Sequence, residues 1–332
     1  MAKHRKKGFP VWLCILLCLV AIVGTTLFNA YQMIQAKYHS PYPYANRINV
    51  QALEKDSWLY KIVRNLYSDQ EWDALLQNDV VEDNQVSKID LPVEKETLDK
   101  NGDGIYIEHI YAGTYEGYMM IVEDPKDVYI AINPTLGTGL DAPSLDDYVA
   151  NNRALGGING GGFEDVGGNG NGSIPAGITI IDGKLVSGGA PQPILGITKD
   201  HKLITTTMSG EEALDAGVVE AVTFGPTFIY NGQVVYQPTS DLNMLNPRTA
   251  VGQKADGTFL LLVIDGRGPS SFGAKYEDVV DIFLEYDAVM AGNLDGGNSS
   301  VMIYGDQYVH YPVSMYNSRN LPSVILVGKE KQ

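Results

Sequence analysis

At 332 residues the chain is long enough for one large domain or two modest ones, and 44% hydrophobic with 19% charged residues excludes wholesale disorder. A formal net charge of −16, carried despite four basic residues among the first seven, excludes nucleic acid as a partner. It also argues against a broad electrostatic grip on an anionic polymer, so any phosphate must be held by a few local arginines. The two cysteines, Cys14 and Cys18, lie in the apolar N-terminal run, leaving no disulfide framework or thiolate metal site for the rest.

Gly8 to Ala36 carries no charge, and Phe9 to Phe28 is almost wholly apolar. Twenty helical residues span roughly 30 Å, the hydrocarbon thickness of a bilayer. A cleaved signal peptide shares the basic start. The run is long for one, however, and Phe28 occupies the −3 position of its best small-residue stop, Ala30. Residues 1–30 are therefore expected to be a cytoplasmic tip and transmembrane anchor, with the remainder outside the cell membrane by the positive-inside tendency.

Residues 31–99 read as an extended spacer over 37–48, two short amphipathic helices between 50 and 80, and a polar linker over 82–100. Ser68 and Glu71 supply a capping-box pattern for the second helix. Asp99-Lys-Asn101-Gly-Asp103-Gly104 begins like a calcium loop, but Ile110 stands where the bidentate Glu is needed, so a turn before a strand is expected.

Residues 100–332 form the main domain. Strands are expected at Ile105–Tyr111, Tyr118–Val122, Val128–Ile132, Ile194–Thr198, Lys202–Thr207, Phe259–Ile264, Val301–Tyr304 and Ser323–Val327. One helix should start at Ser144, and another carries Tyr276, Val279, Val280, Phe283 and Leu284 on one face. Strands and helices do not alternate, which predicts an α+β fold with a mixed, largely antiparallel sheet and a few flanking helices.

Three clusters place polar residues among glycines: Gly156–Glu164, Asn246–Gly252 with the following Asp265-Gly266-Arg267, and Asn293–Ser300. Asp265 and Asp295 each close an apolar run immediately before a glycine, where a strand end can aim a carboxylate into a cleft. The neighbouring glycine lets a ligand approach the backbone. Singly, each cluster reads equally as an ordinary turn.

In this order the motifs NGGGF, IIDGKLVSGG, FGPTFIYNGQVV, NPRTAVGQ, VIDGR and NLDGGNSS resemble the phosphodiester glycosidase family over roughly residues 100–328. Members of that family remove N-acetylglucosamine from a mannose-phosphate diester, or are linked to bacterial exopolysaccharide. Three positions depart from its pattern: Gly162 where an aromatic is frequent, Asn298 where Gly is usual, and His310 two residues before Pro312 where Asn is common.

The resemblance implies hydrolysis of the C–O bond of sugar 1-phosphodiesters in a surface glycopolymer or its fragments. Its implied catalytic residues are Asp265, Asp295 and Arg248, the last gripping phosphate with its planar fork. Asn159, Gly160, Gly161, Glu164, Arg267, Asn293, Gly296 and Gly297 are the substrate-binding candidates, with Glu164 and Arg267 reading equally as members of structural ion pairs. No cofactor is required, and a carboxylate-bound divalent cation is left open. Two rivals stand beside this reading: a non-catalytic glycan-binding protein of exopolysaccharide assembly, and a metal-dependent phosphodiesterase cutting P–O. The scarcity of histidine, with no HxH or HExxH pattern, disfavours the second.

Overall fold

A computed structural model describes residues 11–39, 46, 49–50, 53–55, 57–76, 102–112, 114–237, 244–310 and 318–328. They divide into two compact units, Met1–Asn84 and Gln85–Gln332.

In the first unit the apolar run forms one helix, Val11–Tyr38. Its Leu16–Gln35 stretch is long and apolar enough to cross a membrane, with mean hydropathy 1.6. The expected spacer starts too early at residue 37. No Gly or Pro follows Gly24 until Pro41, so nothing stops the helix before Tyr38, and Asn46 and Asn49 are helical as well. Two short helices follow, Trp58–Arg64 and Asp69–Leu76. Ser57 caps the first through Tyr60 N–H, and Ser68 and Glu71 exchange the reciprocal bonds of a capping box. Tyr38, Val50, Val63 and Trp72 bury a small core of their own.

The second unit holds three sheets, and every strand pairing among the described residues is antiparallel. A seven-stranded sheet runs, edge to edge, Ile105–Tyr111, Glu116–Val122, Phe259–Ile264, Arg248–Lys254, Ala288–Asn293, Thr227–Tyr230 and Gln233–Val234. One five-stranded sheet centres on Gly156–Asn159 and Ser323–Val327, the other on Val218–Thr223 and Gln192–Thr198. All three contribute to one core that includes Ile107, Met120, Ile158, Leu195, Val222, Leu261, Met302 and Ile325. Alternation along Ser323–Val327 sends Ile325 into this core and Val324 and Leu326 into a second one beneath the helix Leu145–Asn152. That helix starts at the capping box Ser144/Asp147, as its sequence predicts.

Phe259–Ile264 is apolar at every position because it is covered on both faces, by the core and by the layer of the helix Tyr276–Glu285. Each buried aliphatic there contributes about 1.5–3 kcal/mol. Phe283 of that helix lies so close to Gly252 that a Cβ there would meet its ring at 2.7 Å. The α+β reading with its largely antiparallel sheet holds, and the eight expected strands hold to within two residues; the strands of the described residues divide among three sheets. Of the calcium-like stretch, Asp99 to Asn101 lie outside the described residues. Asp103 accepts from Ile105 N–H at 3.0 Å, making the expected turn.

This topology positions the candidate carboxylates. Arg248–Lys254 sits between Phe259–Ile264 and Ala288–Asn293 and is antiparallel to both, so those two strands end at the same sheet edge. Arg248 pairs with Ile264, and Ala250 with Asn293. Asp265 and Asp295 thus follow one and two residues beyond those ends, with backbones two strand spacings, roughly 10 Å, apart.

Candidate active site

The Asn246-Pro247 segment ties the two carboxylate loops together. A Cβ on Gly266 would meet Pro247 N at 2.7 Å, and one on Gly296 would meet Pro247 O at 2.9 Å. Gly297 N–H donates to the same carbonyl at 3.0 Å, from a left-handed backbone (φ +61°) that favours glycine. Arg267 also holds a positive φ of 60°, costly for a side chain with a Cβ. Its guanidinium donates to Asn298 Oδ1 at 2.7 Å and Asn246 Oδ1 at 3.0 Å, bridging the two loops. Asn298, one of the departures from the family pattern, is therefore the residue on which Arg267 docks.

The first glycine cluster joins from beneath. Asn159 donates to Asp295 O at 2.5 Å and accepts from Thr249 Oγ1 at 2.8 Å and Val301 N–H at 3.2 Å. Asp295 N–H donates to Gly160 O at 3.2 Å. All three sequence clusters thus meet at one sheet edge.

Asp295 is partly buried. Loss of water around its carboxyl pushes the pKa up to about 6, against the opposing pull of the Ser299 hydroxyl, Arg319 and Gly296 N–H. Arg319 pairs with Asp165 through two contacts, 2.7 and 2.9 Å, and lies 4.7 Å over the Phe163 ring. That bidentate grip, with Gly170 N–H, holds Asp165 below the usual carboxylate range.

Asp265 is served differently. Its side chain is 21% exposed, and His310 Nδ1 approaches Oδ1 to 2.5 Å, a close approach rather than an aligned hydrogen bond. His310 is 1% exposed, and its Nε2 accepts Met302 N–H at 3.0 Å. In the neutral ring that leaves the proton on Nδ1, facing the carboxylate. Tyr118 stacks on His310 at 5.9 Å between centroids, its hydroxyl pKa raised by burial and then by Asp265 and Glu116.

Several expected ligand contacts are occupied by the protein itself. Arg248, expected on phosphate, is 7% exposed. Its guanidinium donates to Ala274 O at 3.0 Å and Met244 O at 2.7 Å and lies 4.0 Å over Tyr276. Burial lowers its pKa. It braces the sheet edge from below. Asn159 is spent on Asp295, Thr249 and Val301, and Asn293 donates to Gly225 O at 2.9 Å and Tyr276 Oη at 3.2 Å. Gly160 and Gly161 are buried, and a Cβ on them would strike Ser323 at 2.6 Å and Val222 at 2.7 Å, so close packing alone already requires both glycines. Glu164 is exposed, with its backbone N–H bonded to Ile174 O.

Sequence reasoning missed Arg319 and Asp165 and noted His310 only as a departure. A signal existed for Arg319: the acidic domain has only four arginines after residue 100, and a phosphate site must draw on them. Among the described residues, no group of three or more His, Cys, Asp or Glu is placed to hold a metal ion. Two surface hollows of ≈590 and ≈700 Å³ lie at the opposite end of the sheet, around the Lys254–Gly257 turn, remote from the carboxylates.

Residues 152–328 match the model of a family described as phosphodiester glycosidase. The mouse N-acetylglucosamine-1-phosphodiester alpha-N-acetylglucosaminidase is 27% identical over 230 residues, covering 62% of this chain and 43% of that protein. The human protein of that name is 30% identical over 143 residues, covering 38% and 28%. The chain thus spans less than half the length of these curated relatives. Among solved structures, the zebrafish enzyme's catalytic domain, auto-inhibited by its pro-peptide, aligns with TM-score 0.57 and 21% identity over 72% of this chain and 88% of that one. A Burkholderia pseudomallei protein aligns with TM-score 0.50 and 17% identity, covering 65% and 74%. These two likenesses are likenesses of fold.

Proposed function

Because the chain belongs to the phosphodiester glycosidase family, matching it over residues 152–328, we propose that it hydrolyses the C–O bond of sugar 1-phosphodiesters at the Asp265–Asp295 edge. The observation that carries this reading is the convergence of both carboxylate loops on Pro247, with Asp295 poised at a pKa of about 6.

A phosphate monoester leaves readily, so the departing oxygen needs little protonation. The harder tasks are supplying a nucleophile and stabilising charge. Asp295, ionised at neutral pH yet basic enough to take a proton, suits the general base. Water attacks the anomeric carbon, its proton passes to Asp295, and the C–O electron pair leaves on the phosphate. Asp265, oriented by His310, stabilises the positive charge that develops on the sugar ring. Arg267, exposed on the Asp295 side and bonded only to neutral amide oxygens, holds the phosphate in place of the buried Arg248, while Arg319 is charge-balanced by Asp165. Gly296 and Gly297 let the phosphate approach the loop backbone.

The substrate is a surface glycopolymer or its fragments, with an N-acetylhexosamine next to phosphate. The relatives' printed substrate and the N-terminal apolar helix support this reading. The helix serves as an uncleaved anchor, with the enzyme unit outside the cell membrane. The test is release of free N-acetylglucosamine from a synthetic N-acetylglucosamine 1-phosphodiester by the purified protein. Turnover that disappears in a folded Asp295→Asn variant supports the reading. Binding without turnover across sugar 1-phosphodiesters would leave a glycan-binding protein.

A further inference from the structure

The face of the sheet that carries Asp265 continues outward as a shelf that the catalytic proposal does not use. Strand register defines it. Tyr111 pairs with Glu116, and Gly117 with Ile264, so Glu116 stands opposite Asp265, whose N–H donates to Glu116 O at 2.8 Å. Directly paired residues share a face. Tyr111, Glu116 and Asp265 therefore form one cross-strand row at the sheet edge. The next row inward is His109, Tyr118 and Val263.

The rings in these rows touch in series. His109 lies 4.0 Å from Tyr111 and stacks on Tyr118 at 4.5 Å, with planes 5° apart, and Tyr118 stacks on His310. The series runs inward from Tyr111, 42% exposed at the rim, to the histidine that touches Asp265. Glu116 Oε2, 3.7 Å from the buried His109 Nε2, places a carboxylate beside the rings. Phe272, 58% exposed, is pinned to the same hairpin by its N–H to Thr114 O at 2.8 Å. Ser271 Oγ accepts Glu116 N–H and donates to Asp265 O, so loop and hairpin move as one piece.

We propose that this shelf is a second sugar subsite, in which Tyr111 receives the face of a neutral pyranose next to the one cleaved. The inference rests on the proposed activity and deepens it. Three observations select a neutral sugar. Exposed aromatic rings, Tyr111 and Phe272, beside the carboxylate of Glu116 match a sugar's apolar face and its hydroxyl rim. Glu116 and Asp265, side by side in the same cross-strand row, repel a second phosphate. Tyr111 stands two strand spacings, roughly 10 Å, from Asp265, room for one further ring beyond the reacting one. The enzyme then prefers to cut a phosphodiester whose reducing-end sugar already carries another sugar, releasing an oligosaccharide.

The experiment uses the full chain and two synthetic substrates, an N-acetylglucosamine 1-phosphodiester and the corresponding disaccharide 1-phosphodiester. Wild type should favour the disaccharide by about tenfold in kcat/KM, the scale of one aromatic contact. Tyr111→Ala should bring that ratio close to one, whereas Tyr111→Phe, which keeps the ring, should preserve it. The second measurement is calorimetric binding of the free disaccharide, weaker in Tyr111→Ala than in wild type. Equal turnover of both substrates by wild type overturns the shelf and leaves the catalytic reading standing. A folded Tyr111→Phe protein that loses the preference also overturns it, since the ring is then not the contact. Turnover of neither substrate, with disaccharide binding that still depends on Tyr111, upholds the shelf and overturns the catalysis. Neither turnover nor Tyr111-dependent binding overturns both.

Discussion

At the residue scale, Asp295 carries two linked expectations. Unfolded, an aspartate loses its proton near pH 3.9, whereas folded Asp295 keeps its own to about 6. The folded state binds the extra proton between those values, so stability falls as pH rises from about 4 to about 6 and stays lowered above. Asp295→Asn should therefore melt higher than wild type at pH 7, by at most about 3 kcal/mol and less for a partly exposed group, with the advantage gone at pH 4. The same variant should lower kcat by roughly 10²–10⁴, the range for losing general-base help. In wild type, kcat/KM should fall below about pH 6. An asparagine variant that is both less stable and fully active contradicts the assignment. His310→Ala should lower kcat more than it raises KM, because it removes the group against Asp265. It also leaves the buried Met302 N–H unpaired, at about 1–3 kcal/mol, readable by denaturant melting.

At the element scale, the glycine run of Gly156–Gly162 is a packing device. Gly161→Ala would put a methyl against Val222, and the expected cost is about 1–3 kcal/mol of stability with the KM of the remaining folded enzyme unchanged. A raised KM at full stability would return Gly161 to the ligand. The strands were legible because alternating or fully apolar runs report burial directly, as in Ser323–Val327 and Phe259–Ile264. The carboxylates were legible because each follows such a run. What local pattern does not encode is the inventory of long-range partners. Arg248 stands in a motif that suits a phosphate ligand, yet its guanidinium meets Ala274 and Tyr276, which lie on a distant stretch of the sequence. Arg319 reaches Asp165 across 154 positions of sequence, and no local motif announces that meeting.

At the scale of the whole molecule, residues 85–332 have their own core and contain every residue assigned to the site. A fragment over that range is expected to be soluble, cysteine-free and active, with full-length kcat. Aggregation of the fragment beside a soluble fragment beginning at residue 45 would make the N-proximal helices part of its fold. Protease added to intact cells should digest the enzyme unit while Met1 or Ala2 remains the N-terminus. Full protection contradicts the outward orientation. The central claim is that the Asp265–Asp295 edge breaks the bond at the anomeric carbon. Hydrolysis of a sugar 1-phosphodiester in ¹⁸O-labelled water tests it most directly. The label should appear on the sugar hydroxyl, with the phosphate monoester unlabelled. Label on the phosphate would mean P–O cleavage and would contradict the account.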